Sequence, residues 1–106
     1  MGRRGVVLSP AATRDLGQIR AWYSQPGAGP RAKRKATAIV RALRELERYP
    51  YIGTPSDEPG LHERVVEEHT IIYRVRDDMV AAEVAGDILV IRIWQPGQDR
   101  LRQPPL

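Results

Sequence analysis

Cysteine is absent from this 106-residue chain, which excludes disulfide bonds, thiolate nucleophiles and zinc sites built on cysteine. Long apolar runs are absent as well. None approaches the ~18–20 residues needed to span a bilayer, and the basic N-terminal segment is followed by only three apolar residues, too few for a signal peptide. The sequence therefore predicts a cytoplasmic protein that folds as one domain over residues 1–106, without a membrane-spanning segment.

Histidine is scarce, since His62 and His69 are the only two. His62 and Glu63 form half of a pattern found in helical zinc sites, but no second histidine follows one helical turn later. We therefore expect neither a metal ion nor another cofactor.

Positive charge is abundant but unevenly distributed. The net charge is +4; residues 1–48 carry eleven Lys or Arg against three Asp or Glu, and residues 49–106 carry six against ten. This asymmetry favours a surface that binds an acidic partner, and either a nucleic acid or an acidic protein satisfies it.

Two helices are predicted in the first half of the chain. Ser9 and Pro10 suit the N-cap and first position of a helix over residues 10–24, and apolar residues recur within it at helical spacing. The Pro- and Gly-rich segment 25–30 ends this helix. A second helix is predicted over residues 30–48, with an apolar stripe on one side and a strongly basic opposite side.

Strands account for most of the remaining sequence. Residues 6–8, 64–68, 70–76 and 88–94 are rich in the side chains that strands favour, whereas residues 79–84 fit either a strand or an extended hairpin arm. The order β-α-α-β-β-β predicts an α+β fold. Its small, mainly antiparallel sheet should have about three to five strands, with an N-terminal αα-hairpin packed on one face.

Strand periodicity assigns side chains to the two faces of that sheet. In the last strand, Leu89, Ile91 and Ile93 form an all-aliphatic set that we expect to face the helices. The opposite, open face is then expected to present Ile88, Val90, Arg92 and Trp94 of this strand, together with Arg74 and Arg76 of the strand before it. Arginine's planar, permanently charged fork suits phosphates and carboxylates, so this face is a candidate binding or catalytic surface. Ordinary salt bridges to acidic neighbours such as Glu67, Glu83 or Asp99 are the alternative explanation.

Three segments resemble the RelE/ParE superfamily of toxins. Residues 43–75, LRELERYPYIGTPSDEPGLHERVVEEHTIIYRV, have a helix ending in aromatic-Pro, an Ile-Gly turn, a Leu-x-x-Arg strand start and a strand similar to Ile-Ile-Tyr-Arg-Val. Residues 88–100, ILVIRIWQPGQDR, resemble the family's final strand and terminal segment, and residues 6–19, VVLSPAATRDLGQI, resemble its first strand and helix. The resemblance implies a type II toxin in a hetero-oligomer with a cognate antitoxin.

Members similar to RelE cleave messenger RNA in the ribosome without a metal, which takes a base, a general acid and cations that stabilise the developing charge. The resemblance places Arg64, Arg74 and Arg92 in the cationic role. It places Trp94 and Gln95 where the family often has a His or Tyr acid or base, yet neither exchanges a proton usefully near neutral pH. The other candidate bases are Glu63, Glu67, Glu68 and His69.

Members similar to ParE poison DNA gyrase by binding, which needs no catalytic base. The missing acid and base therefore favour a ParE-like, non-enzymatic toxin over a RelE-like ribonuclease; a non-toxic nucleic-acid- or protein-binding module is the remaining alternative. We expect the target to bind Arg74, Arg76, Arg92, Trp94 and Arg100. We expect the antitoxin to bind Trp22, Arg34, Arg41, Tyr49 and Tyr51.

Overall fold

The computed structural model describes residues 5–75 and 88–95, which contain two helices and five strands. The strands form one sheet in the order β1-β5-β4-β3-β2, in which β1 and β5 are parallel and the other neighbours antiparallel. The predicted α+β fold is thereby confirmed. The elements are β1 (Val6–Leu8), α1 (Pro10–Tyr23), α2 (Gly29–Arg48), β2 (Thr54–Pro55), β3 (Leu61–Val66), β4 (His69–Val75) and β5 (Ile88–Trp94).

Helix α1 begins at the predicted cap and is attached there to β5. The Ser9 hydroxyl accepts a hydrogen bond from the Ala12 N–H at 3.0 Å, as an N-cap does, and donates one to the Ile91 carbonyl at 2.8 Å. The Ser9 N–H also donates to the Val90 carbonyl at 2.9 Å. Ser9 therefore continues the hydrogen bonding to β5 at the point where strand β1 ends.

Helix α2 packs on the sheet through an apolar stripe. Its buried residues, Ile39, Ala42, Leu43 and Leu46, recur at the spacing of one helix face. They form one core cluster with buried side chains of α1, β4 and β5, so both helices cover the same face of the sheet. Neither helix in this part of the chain is long and apolar enough to cross a membrane.

Strand β5 contains an irregularity that the sequence pattern did not predict. Ile72 and Tyr73 are neighbours in β4, yet they pair with Arg92 and Val90, two residues apart in β5. Ile91 is therefore the extra residue of a β-bulge, which interrupts the alternation of side chains between faces.

The bulge changes which aliphatic residues of β5 join the core. Ile88, Val90 and Ile93 are fully buried, whereas Leu89 and Ile91 are only half-buried. The prediction that Leu89 and Ile91 face the helices is wrong, and so is the prediction that Ile88 and Val90 point to the open face, because both assumed unbroken alternation; the prediction for Ile93 is confirmed.

Three strand boundaries also differ from the predicted ones. Strand β4 begins at residue 69, one residue earlier than predicted. Strand β3 begins at Leu61, three residues before the predicted start at residue 64. The prediction also placed Glu67 and Glu68 in this strand, whereas they form the turn to β4, with φ of 51° and 67°. The two-residue strand β2 was not predicted, because a Thr-Pro pair carries no periodic signal. The predicted segment 79–84 lies outside the described residues.

Candidate functional site

One face of the sheet carries neither helix, and we call it the open face. Residues directly opposite each other on neighbouring strands point to the same side, so the strand register identifies the members of this face. It is mixed in character, with apolar, acidic and basic side chains together. The open face comprises Val7, Thr54, Leu61, Glu63, Val65, Thr70, Ile72, Arg74, Leu89, Arg92 and Trp94.

Arg92 is held by a carboxylate of α1. Asp15, buried at 5% relative exposure, accepts hydrogen bonds from Arg92 Nε at 2.7 Å and Nη2 at 3.1 Å, and from the Ile93 N–H at 2.9 Å. Among the described residues, no strand pairs with β5 beyond Val90 on its β1 side, because β1 ends at Leu8. The Asp15 carboxylate bonds the β5 backbone there instead. The hydrogen bond to Asp15 is the main cause that raises the pKa of Arg92, against a smaller lowering by burial.

The guanidinium of Arg92 also lies over the Trp94 ring, with Cζ 4.2 Å from the ring centroid. This is the geometry of a cation–π contact. Trp94 Nε1 is buried and has no hydrogen-bond partner within residues 5–75 and 88–95. Arg92 and Trp94 thus form a half-buried, flat pair on the open face, as predicted. The predicted target-binding residues Arg76 and Arg100 lie outside the residues described.

Arg74 points away from that pair. A Cβ placed on Gly60 would come within 2.9 Å of Arg74 Nη1, so the guanidinium lies against the backbone of the segment before β3. Gly60 has φ of +84°, a conformation that residues with a Cβ rarely adopt. Arg74 is therefore on the open face as predicted, but its charged group is turned towards β3, whereas that of Arg92 is turned towards α1.

Arg64 lies on the other face of the sheet. It sits opposite Ile71, a core residue, and donates hydrogen bonds to the Ala42 carbonyl at 3.0 Å and to Glu45 Oε1 at 2.7 Å, both in α2. The three arginines to which the resemblance gives one cationic role do not converge. Strand alternation explains why Arg64 is separated from the other two, since it pairs with Ile71, a helix-facing position of β4.

An aromatic cluster next to Arg64 fixes the segment that follows α2. The rings of His62 and Tyr73 stack at 5.4 Å with an interplanar angle of 21°, and Tyr51 contacts His62 edge-on at 5.5 Å. Tyr73 Oη accepts a hydrogen bond from the Gly53 N–H at 2.9 Å. Burial raises the pKa of Tyr73, and this outweighs the opposing effects of the Gly53 hydrogen bond and the Arg64 charge.

The candidate bases are scattered. Glu63 belongs to the open face, whereas His69 is buried among core residues with Nδ1 2.8 Å from the Glu67 carbonyl oxygen. Glu67 and Glu68 are exposed at the hairpin turn, and Gln95 follows the last residue of β5. Across residues 5–75 and 88–95, no three acidic or histidine side chains are close enough to hold a metal ion.

The predicted antitoxin-binding residues extend along the whole helical hairpin. Trp22, Tyr49 and Tyr51 are 61%, 54% and 56% exposed, and Arg34 and Arg41 are exposed as well. Trp22 lies near the turn between the helices, whereas Tyr49 follows the far end of α2. Because α2 has 20 residues, these two ends are about 30 Å apart.

Asp15 is the residue of this site that the sequence reasoning missed. A signal was present, because Asp15 falls between Ala12 and Ile19 on the side of α1 that faces the core. A carboxylate on such a stripe needs a partner once it is buried. The partner itself, in β5, could not be identified without the sheet register.

Comparison with known proteins agrees with this architecture. The family model described as the ParE toxin of the type II toxin–antitoxin system parDE matches residues 6–100. Among solved structures, the chain is similar to one from the chromosomal ParDE toxin–antitoxin system of P. aeruginosa, with 21% identity, a TM-score of 0.65 and coverage of 88% of this chain and 96% of that one. A chain of the RelBE2 toxin–antitoxin complex from Mycobacterium tuberculosis is similar too, with 20% identity, a TM-score of 0.61 and coverage of 88% and 98%.

No curated protein matches the sequence. At these identities the two solved structures establish a shared fold, whereas the family model spans nearly the whole chain. The chain belongs to the ParE toxin family of type II toxin–antitoxin systems.

Proposed function

We propose that this toxin inhibits DNA gyrase by binding it through the open face, without chemistry of its own, and that a cognate antitoxin neutralises it. The observation that carries the proposal is the divergence of Arg64, Arg74 and Arg92. Each guanidinium is turned towards a different part of the molecule: α2, the backbone of Gly60, and α1.

A ribonuclease of the RelE-like kind needs cations that meet on one phosphate, together with an acid and a base within hydrogen-bond reach of the reacting atoms. Arg92 already donates to Asp15 through two of its nitrogens, and Arg64 lies behind the sheet. Of the candidate bases, Glu63 alone shares a face with Arg92, two strands away. This arrangement favours binding over phosphoryl transfer.

The open face has the composition of a protein-binding surface. Ile72, Leu89 and Trp94 are half-buried and lie beside Arg74 and Arg92. Interfaces are enriched in aromatic residues and arginine, and a few such residues provide most of the binding energy. Because the hydrogen bonds to Asp15 fix the Arg92 guanidinium over Trp94, less side-chain entropy is lost when a partner covers the pair.

The proposed antitoxin contact rests on the exposed aromatic side chains of the helical hairpin. Trp22 at one end and Tyr49 and Tyr51 at the other are too far apart for a small, compact contact. A segment of the antitoxin that is disordered alone and folds along the hairpin would cover all three. Co-expressed antitoxin should therefore lose affinity for a Trp22→Ser, Tyr49→Ser double variant, measured by co-purification.

Expression of the chain from a tightly controlled promoter tests the choice of target. We expect growth arrest with DNA damage and intact messenger RNA. Arg74→Gln should weaken the arrest, whereas Arg14→Gln, which removes the same charge from an exposed position of α1, should not. Cleaved messages without DNA damage would contradict the proposal and support a RelE-like nuclease; loss of that cleavage in Glu63→Gln would then identify the base.

A further inference from the structure

The outward side of α2 carries a row of basic residues. The buried stripe of this helix defines its inward side, and helical geometry places five exposed Lys and Arg side chains within a narrow arc on the opposite side. We call this row the basic ridge. It consists of Lys33, Arg34, Arg41, Arg44 and Arg48.

The ridge has no internal compensation. The acidic residues of α2 are Glu45 and Glu47, which flank the arc, and Glu45 is hydrogen-bonded to Arg64 on the sheet side. Throughout the described ranges, no carboxylate forms an ion pair with a ridge side chain.

This charge pattern opposes the stability of the helix. Arg44 lies one turn from both Arg41 and Arg48, so like charges repel along the ridge. The N-terminal part of α2 adds cations near the positive end of the helix dipole, with no acidic residue in the first turn and no side-chain cap at Ala28. A polyanion laid along the ridge would remove this repulsion.

Clefts beside the ridge continue the positive surface. One of about 770 Å³ is lined by five Lys or Arg side chains and a single carboxylate, Glu67. Another of about 460 Å³ brings Arg20 of α1 next to the ridge. Lys33 and Arg41 border both clefts, and Arg41 also borders a third cleft with Arg44 and Arg48, which makes Arg41 the centre of the positive surface.

We propose that the basic ridge binds the backbone phosphates of duplex DNA without regard to sequence. The ridge extends over about 22 Å from Lys33 to Arg48, and duplex DNA presents a regular line of charge, about one per 1.7 Å of axis. Arginine, which provides four of the five ridge positions, bonds phosphate through two parallel N–H groups.

An acidic protein segment fits the ridge less well. A segment that folds on a surface needs apolar area to offset its ordering. The five ridge side chains are all charged, and apolar residues such as Ala38 and Val40 line the clefts beside the row. The exposed aromatic residues Trp22 and Tyr49 lie beyond its two ends. Arg34 and Arg41, expected from the sequence to bind antitoxin, are therefore assigned here to DNA.

Binding to DNA does not depend on the identity of the toxin's target. The effect of this binding in the cell does depend on the target. If the toxin acts on gyrase, which rests on the proposed function, the ridge would contact the DNA that gyrase holds. A measurement on the toxin and DNA alone separates the two proposals.

The test is fluorescence anisotropy of a labelled duplex of about 30 base pairs, titrated with the full chain at several salt concentrations between about 50 and 200 mM. Five phosphate contacts predict a slope of log affinity against log salt of about −4.5. Arg41→Gln and Arg44→Gln should each reduce the steepness of the slope by about 1. Arg14→Gln, the matched control on α1, should leave the slope unchanged.

Circular dichroism of each variant verifies that these exposed substitutions leave the fold intact. Equal slopes for the ridge variants and the control, with all of them folded, would overturn the assignment. The assignment would also be overturned if a polyglutamate peptide bound as tightly as the duplex, because that result indicates an acidic protein partner. Tighter binding of single-stranded RNA than of the duplex would overturn it as well.

Discussion

Two arginines of the sheet are each bonded to a carboxylate of a helix, and the two contacts differ in what they support. Between α1 and β5, Asp15 is almost fully buried and accepts three hydrogen bonds, two from Arg92 and one from the backbone of Ile93. Between α2 and β3, the Glu45 side chain is 40% exposed and accepts one hydrogen bond from Arg64.

The difference shows that two ion pairs of the same chemistry contribute differently to the stability of the fold. Asp15 completes the hydrogen bonding of a strand edge and fixes a side chain of the open face, so its loss affects both fold and target surface. Glu45 lies near water, where the attraction of an ion pair is weak. The α1–β5 contact is therefore the one that links stability to the proposed function.

Asp15→Ala should give the largest loss of stability. It leaves the buried Ile93 N–H without an acceptor, which costs about 1–3 kcal/mol, and it also removes both hydrogen bonds that hold the Arg92 guanidinium, whose side chain is 31% exposed. Urea unfolding measures the loss. Asp15→Asn, which keeps an oxygen for the backbone N–H, should lose markedly less; equal losses would show that the backbone bond contributes nothing.

Tyr73→Phe tests the core beside Arg64 and should cost about 1–2 kcal/mol, because the Gly53 N–H loses its acceptor. It also predicts a pH effect. Burial raises the pKa of Tyr73 above 10.0, so the neutral phenol's contribution is complete below about pH 10 and is lost as pH rises through the folded-state pKa. The stability difference between wild type and variant should therefore shrink in alkaline solution; a constant difference would contradict the assignment.

Arg64→Gln should cost about 1 kcal/mol, since it removes the hydrogen bonds to the Ala42 carbonyl and to Glu45 at a partly exposed site. Toxicity should persist, because Arg64 lies on the helix-packed face. Glu45→Gln is the matched change on the partner and should cost less. Loss of toxicity in Arg64→Gln at full stability would place this side chain at the target after all.

Arg74→Gln should have the smallest effect on stability, within about 0.5 kcal/mol, because the Arg74 side chain is half-buried on the open face, outside the core. Cells that express Arg74→Gln should nevertheless show weaker growth arrest than cells that express wild type. Arg64→Gln is expected to do the opposite, losing stability but keeping toxicity. Thermal unfolding and growth curves for the two variants, compared side by side, separate the two faces of the sheet. An equal fall in stability and toxicity would give Arg74 a structural role.

Local signals in the sequence predicted the helices and the last strand because the determinants are local: Ser9 caps α1, and a run of aliphatic residues forms β5. The bulge at Ile91 was not predictable, since it depends on how β5 pairs with β4. The site was likewise only partly predictable. The sequence identified Arg74 and Arg92 as candidate residues, but the positions of their charged groups depend on Gly60 and Asp15, which are distant in sequence.

Direct measurement of binding to purified DNA gyrase tests the central claim that the open face acts by binding. The account predicts that the wild-type chain binds gyrase and that Arg74→Gln binds at least about tenfold more weakly, as loss of an interface arginine commonly causes, while Arg64→Gln binds like wild type. No affinity for gyrase, or an equal loss in both variants, would contradict it.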